Sequence, residues 1–470
     1  VHEPRRGRRA DAGHPHDGRV IAVLATAGLG SSFVFTAIIP IQAHLPELFA
    51  AEREQTAWAV TITLLVAAVL TPISGRVADM VGKRRVALAL LSLLALGSLV
   101  SAGATELWML IVGRGMQGAA TGVIPVGIAI LRDTLPPHRL DTSIALMSAS
   151  LGIGGALGLP ISAIVNQFVG WRWTFGATAA FAVAVAASFV AVVPESTRRS
   201  GGRFDFPGAA GLAFITTALL LLLSSGATWG WDSPTSLLTA ATTVIVLVLW
   251  VRHESRTRDP LLDMRLARSR PVLMTNLTSF AVGFALFTSN IVFPQQLELP
   301  PSAGGFGLSL VGASVVMMPP GVIMLALAPV AGRLSRRFGP RLPLLLGATF
   351  LTAAYAHALI FPGQIWQIVV TNALIGVGVG FGYAAIPSLI ARAVPDHAAG
   401  ASNGLNTLFR SLGTSAAAAS TGAVLAGMSH TVGSTTLPTA SAFHLALLMG
   451  LIASAVALGL AVLVPRLRHR

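Results

Sequence analysis

Long apolar stretches, cut by short breaks rich in arginine, glycine or proline, recur from one end of the chain to the other. A helix rising 1.5 Å per residue needs about 17 to 25 apolar residues to cross a hydrocarbon core. Stretches of that size fall at 20–41, 56–72, 86–104, 108–130, 144–165, 173–193, 208–225, 236–251, 271–293, 308–328, 343–361, 366–389, 402–426 and 441–464. The pattern predicts an all-α membrane protein with fourteen transmembrane helices, an even number that returns the chain to the side on which it started. Trp108, Trp171, Trp173, Trp229, Trp231 and Trp366 lie at the expected outer ends, where amphipathic rings collect at a membrane interface.

Composition agrees. A 470-residue chain that is 54% hydrophobic and 11% charged has more apolar surface than a water-soluble core can hide. Its net charge of +14 would suggest a nucleic-acid partner in a soluble protein. The placement of the charge argues otherwise: 28 of the 32 basic residues fall in the two tails and in alternate loops, Arg53 and Arg172 lie on the opposite side, and Arg114 and Arg410 lie inside spans. This is the positive-inside asymmetry, which predicts a multi-pass protein of the cell membrane with both termini cytoplasmic. The basic start around Arg5 to Arg9 reads as a cytoplasmic tail before a retained first span.

The sequence also narrows the chemistry. Without cysteine there is neither disulfide nor thiolate metal site. The sequence has no His/Asp/Glu group at metal-ligand spacing, no nucleophile elbow and no phosphate loop of the ATP-binding kind. The glycine run from Gly376 to Gly382 sits inside a span with no strand before it, so it reads as helix packing rather than a dinucleotide loop. No cofactor is expected, and no enzyme activity. Asn276-Leu277-Thr278 lies within a span and is no glycosylation signal.

Two of the breaks are alike. Gly75-Arg76-Val77-Ala78-Asp79-Met80-Val81-Gly82-Lys83-Arg84-Arg85 and Gly332-Arg333-Leu334-Ser335-Arg336-Arg337-Phe338-Gly339-Pro340-Arg341 each join two apolar stretches through a tight basic turn. They are 257 residues apart, and the pairs Gly118 and Gly376, Gly154 and Gly413, Arg132 and Arg392, and Pro136 and Pro395 keep nearly the same offset. Six spans with ordinary loops need only about 180 residues. The surplus accommodates the spans at 208–225 and 236–251 as an insertion between two six-helix repeats. The expected organisation is a tail at 1–19, a six-helix bundle at 20–193, two linker helices and a cytoplasmic loop at 194–270, a second bundle at 271–464 and a tail at 465–470.

The first basic turn resembles the signature loop of the major facilitator superfamily of secondary transporters, through Gly75, Asp79, Gly82 and Arg84. Arg114, Gln117 and Gly118 in the fourth span look like that superfamily's second motif. Gly152 to Pro160, followed by Trp171-Arg172-Trp173, is similar to the motif of its fourteen-helix drug:proton antiporters, although Leu159 interrupts the usual Gly-Pro pair. The resemblance implies that Asp79 latches the cytoplasmic side, that Arg114 and Gln117 serve proton coupling, and that Gly154, Gly158 and Pro160 make a kinkable, closely packed helix. In the second loop Ser335 or Arg336 stands where the acid would be, so that copy is expected to be structural.

One departure concerns the proton. Ser31 stands where many such relatives carry an aspartate, and every carboxylate falls in a loop or near a span end, which leaves Asp133 as the best coupling candidate, with Glu47 or Glu298 near the outer face if their helices extend further. If the family arrangement holds, a substrate cavity is expected from Ser31, Phe35, Asn276, Phe280, Phe287, Asn290, Met317, Asn372, Asn406 and Arg410. The implied function is proton-coupled export of hydrophobic or amphipathic, cationic drugs or natural products by alternating access. Protons, small-molecule substrate and membrane lipid are the expected partners, and the protein is expected to be monomeric. An importer or uniporter of the same fold is the alternative, and a non-transporting membrane receptor or scaffold the rival from another class.

Overall fold

The computed structural model describes residues 15–195, 203–301, 305–361, 363–395, 398–432 and 435–465. The first half contains α1 (Pro15–Ala37), α2 (Leu45–Phe49), α3 (Arg53–Val81), α4 (Lys83–Ala102), α5 (Leu107–Ala119), α6 (Val123–Thr134), α7 (Pro137–Phe168) and α8 (Trp171–Val192). Next come α9 (Phe206–Trp229), α10 (Pro234–Arg256) and the single turn α11 (Met264–Ala267). The second half contains α12 (Arg270–Glu298), α13 (Leu310–Val316), α14 (Pro319–Phe338), α15 (Arg341–Ile360), α16 (Ile365–Ala393), α17 (Ala399–Gly427) and α18 (Ala440–Leu463). Among the described residues, twelve helices are long and apolar enough to cross a membrane.

Two expected spans fall outside that twelve, each for a physical reason. The stretch expected at 108–130 is two helices, α5 and α6, joined by a 3-10 turn at Ala120–Gly122, so neither piece is long enough alone. The stretch expected at 402–426 is the 29-residue α17, whose Ser, Thr, Asn and Gly residues and Arg410 lower its hydropathy. The tenth stretch is likewise split, because Pro319-Pro320 opens α14 just after α13 ends. The α-helix of the first span ends at Ala37, and Pro40 continues it in a 3-10 turn at Ile39–His44, so that the apolar span runs to Gln42. The all-α expectation also meets one small exception: Ser429–Val432 and Thr435–Pro438 form an antiparallel hairpin between α17 and α18.

Helix contacts repeat along the chain. α1 packs along α7 as α12 packs along α17; α4 packs on α5 and α8 as α15 packs on α16 and α18. The two sets touch each other mainly along two seams, α3 against α17 and α7 against α14, which exchange under the same correspondence. The loop glycines repeat too. Gly82 and Gly339 both take positive φ, 126° and 82°, a backbone that L side chains rarely adopt and that lets a helix turn sharply into the next.

The inserted pair leans on one seam. α9 contacts α3 and α17 as well as α10, burying Leu212 and Ile215 beside Ala68, Leu405 and Leu408. Asp205 caps α9 by accepting from the Gly208 N–H at 2.9 Å and lies 3.0 Å from His253 Nε2 on α10. Trp250 Nε1–H donates to the Gly208 carbonyl at 2.7 Å, and Glu254 accepts from the Leu262 N–H at 3.1 Å. The rest of α10 exposes Leu237, Leu238, Val244 and Ile245, an apolar face suited to lipid.

Candidate functional site

At the arginine-rich end of the α3–α17 seam, Asp79 is 2% exposed and faces the first turn of α17 at Gly400 and Ala401. A helix N-terminus presents free N–H groups and positive potential, so a carboxylate is favoured there. Such close approach needs glycine on both sides. A Cβ on Gly75 would run into the Gly400 carbonyl, and one on Gly404 into Pro72.

Lys83, the chain's single lysine, is also buried at this point. It pairs with Asp133 at 2.5 Å and with Asp79 at 3.9 Å, tying the ends of α3, α4 and α6 together. Arg84 belongs to the expected gating and coupling set. Arg84 Nη2 donates to the Val190 carbonyl at 2.5 Å, on the last turn of α8 and away from Asp79. Lys83, four residues on from Asp79 across the Gly82 turn, is the basic residue that meets it.

The α7–α14 seam closes differently. The second loop has no acid, yet Arg392 at the end of α16 pairs with Asp141 on α7 at 2.5 Å and also reaches the Ser335 carbonyl at 3.4 Å. Arg336 donates to the His138 carbonyl at 2.5 Å, and Arg132 to the Val394 carbonyl at 3.1 Å. The contacts to Asp141, to the His138 carbonyl and to the Val394 carbonyl cross between the two sets of helices, whereas that to Ser335 stays within the second set. Nothing in the sequence pairs Asp141 with Arg392, because residues 251 apart in the chain advertise no contact.

Arg114, expected to serve proton coupling, lies outside the wall of the central cavity. Its guanidinium is fully buried, donating from Nε to the Ala59 carbonyl at 3.0 Å, and from Nη1 to the Val34 carbonyl and Gln117 Oε1, both at 2.8 Å. Gln117 passes the chain on to Ser98 Oγ at 2.8 Å. Together they tie α1, α3, α4 and α5 just before the 3-10 break. Gly154 and Gly158 of α7 lie against the α1 backbone and Thr36, and α7 runs on as one helix through Pro160.

Between the two sets lies a constricted central cavity with room for about one water molecule. α6, α7, α12, α16 and α17 all contribute to its wall. Of the expected cavity residues, Asn406 and Arg410 line it. Asn276 stands behind them, its Oδ1 accepting from Asn406 Nδ2 at 3.0 Å, while Asn406 Oδ1 lies 3.4 Å from Ser279 Oγ. Arg410 lies over the Tyr383 ring at 5.2 Å. Others turn away from it: Ser31 bonds back to the Gly28 carbonyl, Asn372 to Val316 and Met317, and Asn290 is exposed. Phe35, Phe280 and Phe287 are half-buried in helix packing. Among the described residues no group of His, Asp and Glu is placed to hold a metal.

A cavity enclosed between repeated helix sets, sealed by separable polar contacts at one end, is the architecture of a multi-pass membrane transporter rather than an enzyme. The sequence profile of the Major Facilitator Superfamily matches residues 24–418, and the chain belongs to that superfamily. It is 26% identical over 414 residues to the multidrug resistance protein Stp of Mycobacterium tuberculosis, covering 87% of this chain and 76% of that one. It is 24% identical over 413 residues to the multidrug transporter protein MdtP of Bacillus subtilis, covering 87% and 74%. The fold is similar to that of the human organic anion transporter MFSD10 (TETRAN), with a TM-score of 0.66 at 16% identity over 96% of this chain and 100% of that one.

Proposed function

We propose that the chain is a fourteen-span secondary transporter that exports hydrophobic or amphipathic compounds by alternating access. Two six-helix bundles, at 20–193 and 271–464, rock about the central cavity with both termini in the cytoplasm of the cell membrane, and a proton gradient rather than ATP supplies the work. The relatives named for multidrug resistance and multidrug transport support export. The observation that carries the mechanism is the pair of seams. Both are closed at the arginine-rich end by contacts made of a few polar groups, Asp79 at α17 and Asp141 with Arg392, so that parting the halves breaks few interactions at once.

Coupling falls to the Asp133, Lys83 and Asp79 cluster, the acid group buried nearest the moving seam. Proton binding there weakens the hold on Lys83 and on the α17 N-terminus, and so favours opening. The test is export from cells and from inverted vesicles under an imposed pH gradient. Asp79→Asn is expected to lower export at least tenfold at equal protein level; unchanged export in that variant removes the gating mechanism. The importer reading draws on Ser31 and Leu159, and inward flux down the same gradient would favour it.

A further inference from the structure

Arg410 sits eleven residues into α17, about 16 Å from its start and near the middle of a hydrocarbon core about 30 Å thick. A charge at that depth is expensive and persists where something compensates it. Arg114, fully buried among helices, gives three hydrogen bonds, to two carbonyls and Gln117. Arg410 does not. Among the described residues its guanidinium makes no hydrogen bond and no ion pair; its one charge-related contact is the Tyr383 ring.

The surroundings are built to hold it so. Gly283 makes room for the arginine stem, since a Cβ there would lie 3.1 Å from Arg410 Cγ. Asn406, beside it in the wall, is fixed by Asn276 and lies close to Ser279. Ser148, Asn403 and Thr407 add neutral polar groups, whereas Ile124, Ile128, Leu151 and Ile386 give an apolar flank. Among the described residues no aspartate or glutamate lines the cavity. A cationic amphiphile would meet only like charge.

We propose that the central cavity recognises amphipathic organic anions: the Arg410 guanidinium pairs with a carboxylate, sulfonate or phosphate head, and the apolar flank takes the hydrocarbon. The planar fork of arginine suits such heads by paired N–H···O bonds. This replaces the cationic substrate expected from the sequence. It rests on the transport reading, because the constricted cavity admits a ligand of this size once the halves part.

The protein, in nanodiscs of zwitterionic lipid, is titrated with 1-pyrenebutyrate, 1-pyrenebutanol and 1-pyrenebutylammonium, with empty nanodiscs correcting for partition. The wild type is expected to bind the butyrate at least tenfold more tightly than the ammonium. Arg410→Gln is expected to weaken the butyrate roughly tenfold or more and leave the butanol within about twofold, and Arg410→Lys to recover part of the loss. Wild type that fails to bind the butyrate, or binds the ammonium as tightly, overturns the proposal without recourse to any variant. So does an Arg410→Gln protein that keeps full affinity for the butyrate. Adding phosphatidylglycerol to the nanodiscs separates the sources of the anion: displacement of the butyrate assigns the site to a lipid head, its retention to a free solute. Flux in proteoliposomes tells the two readings apart. Binding of the butyrate with no movement of any probe removes transport and keeps anion recognition; movement of the ammonium alone does the reverse.

Discussion

Two arginines lie within the helices of one membrane bundle, and what surrounds each guanidinium distinguishes them. The Arg114 donors meet two backbone carbonyls and a glutamine, so it is a tie among α1, α3 and α5. Arg114→Ala removes three hydrogen bonds from a charged donor and leaves a space behind. A loss of about 2 to 4 kcal/mol is expected, read as a lower midpoint of thermal unfolding in detergent, with Gln117→Ala losing less. An unchanged midpoint would mean that the tie contributes nothing to stability. The sequence identified both arginines as costly, because an ionised side chain inside an apolar stretch needs a reason. It did not separate their roles, since hydrogen-bond partners from other helices leave no mark on local spacing. Lys83 was hidden for a related cause: in a run of Lys83, Arg84 and Arg85 each residue looks alike, and burial alone selects the first.

Helices were legible where they are uniformly apolar and misread where they do a more exacting job. α17 is the clearest case, its small and polar residues facing both a seam and the cavity, so the composition that weakens its membrane signal is what its position requires. The stretch expected as one span at 108–130 tightens to 3-10 winding at Ala120–Gly122, where Gly118 packs against Thr63 and Gly122 against Ser74. The second basic loop was expected to be structural, and the Ser335 carbonyl on its helix α14 accepts from Arg392, which pairs with Asp141 across the seam. A charge swap tests the pair at this scale. Asp141→Arg or Arg392→Asp alone is expected to cut export several-fold by setting like charges together at the seam. The double exchange is expected to restore it in part, and equal loss in all three variants would show that the pairing itself does not matter.

The molecule as a whole repeats itself, and the repeat was readable because duplication leaves a constant offset that composition cannot imitate. An offset of 257 residues joins Gly75 with Gly332 in sequence and Gly82 with Gly339 in backbone conformation. What the offset could not reveal is how the copies diverged. One seam is held by an acid against a helix start, the other by an ion pair borrowed from neighbouring helices, so their response to protons need not be equal. Lys83 gives an independent view of this motion, because it is the only lysine in the chain and is 2% exposed with the seam shut. Amine-selective acylating reagents therefore have a single side-chain target, whose modification, followed by mass spectrometry of the 76–85 region, is expected to be slow in this closed form and to accelerate whenever substrate or pH shifts the population. The protein carries its own chemical clock for the time it spends open.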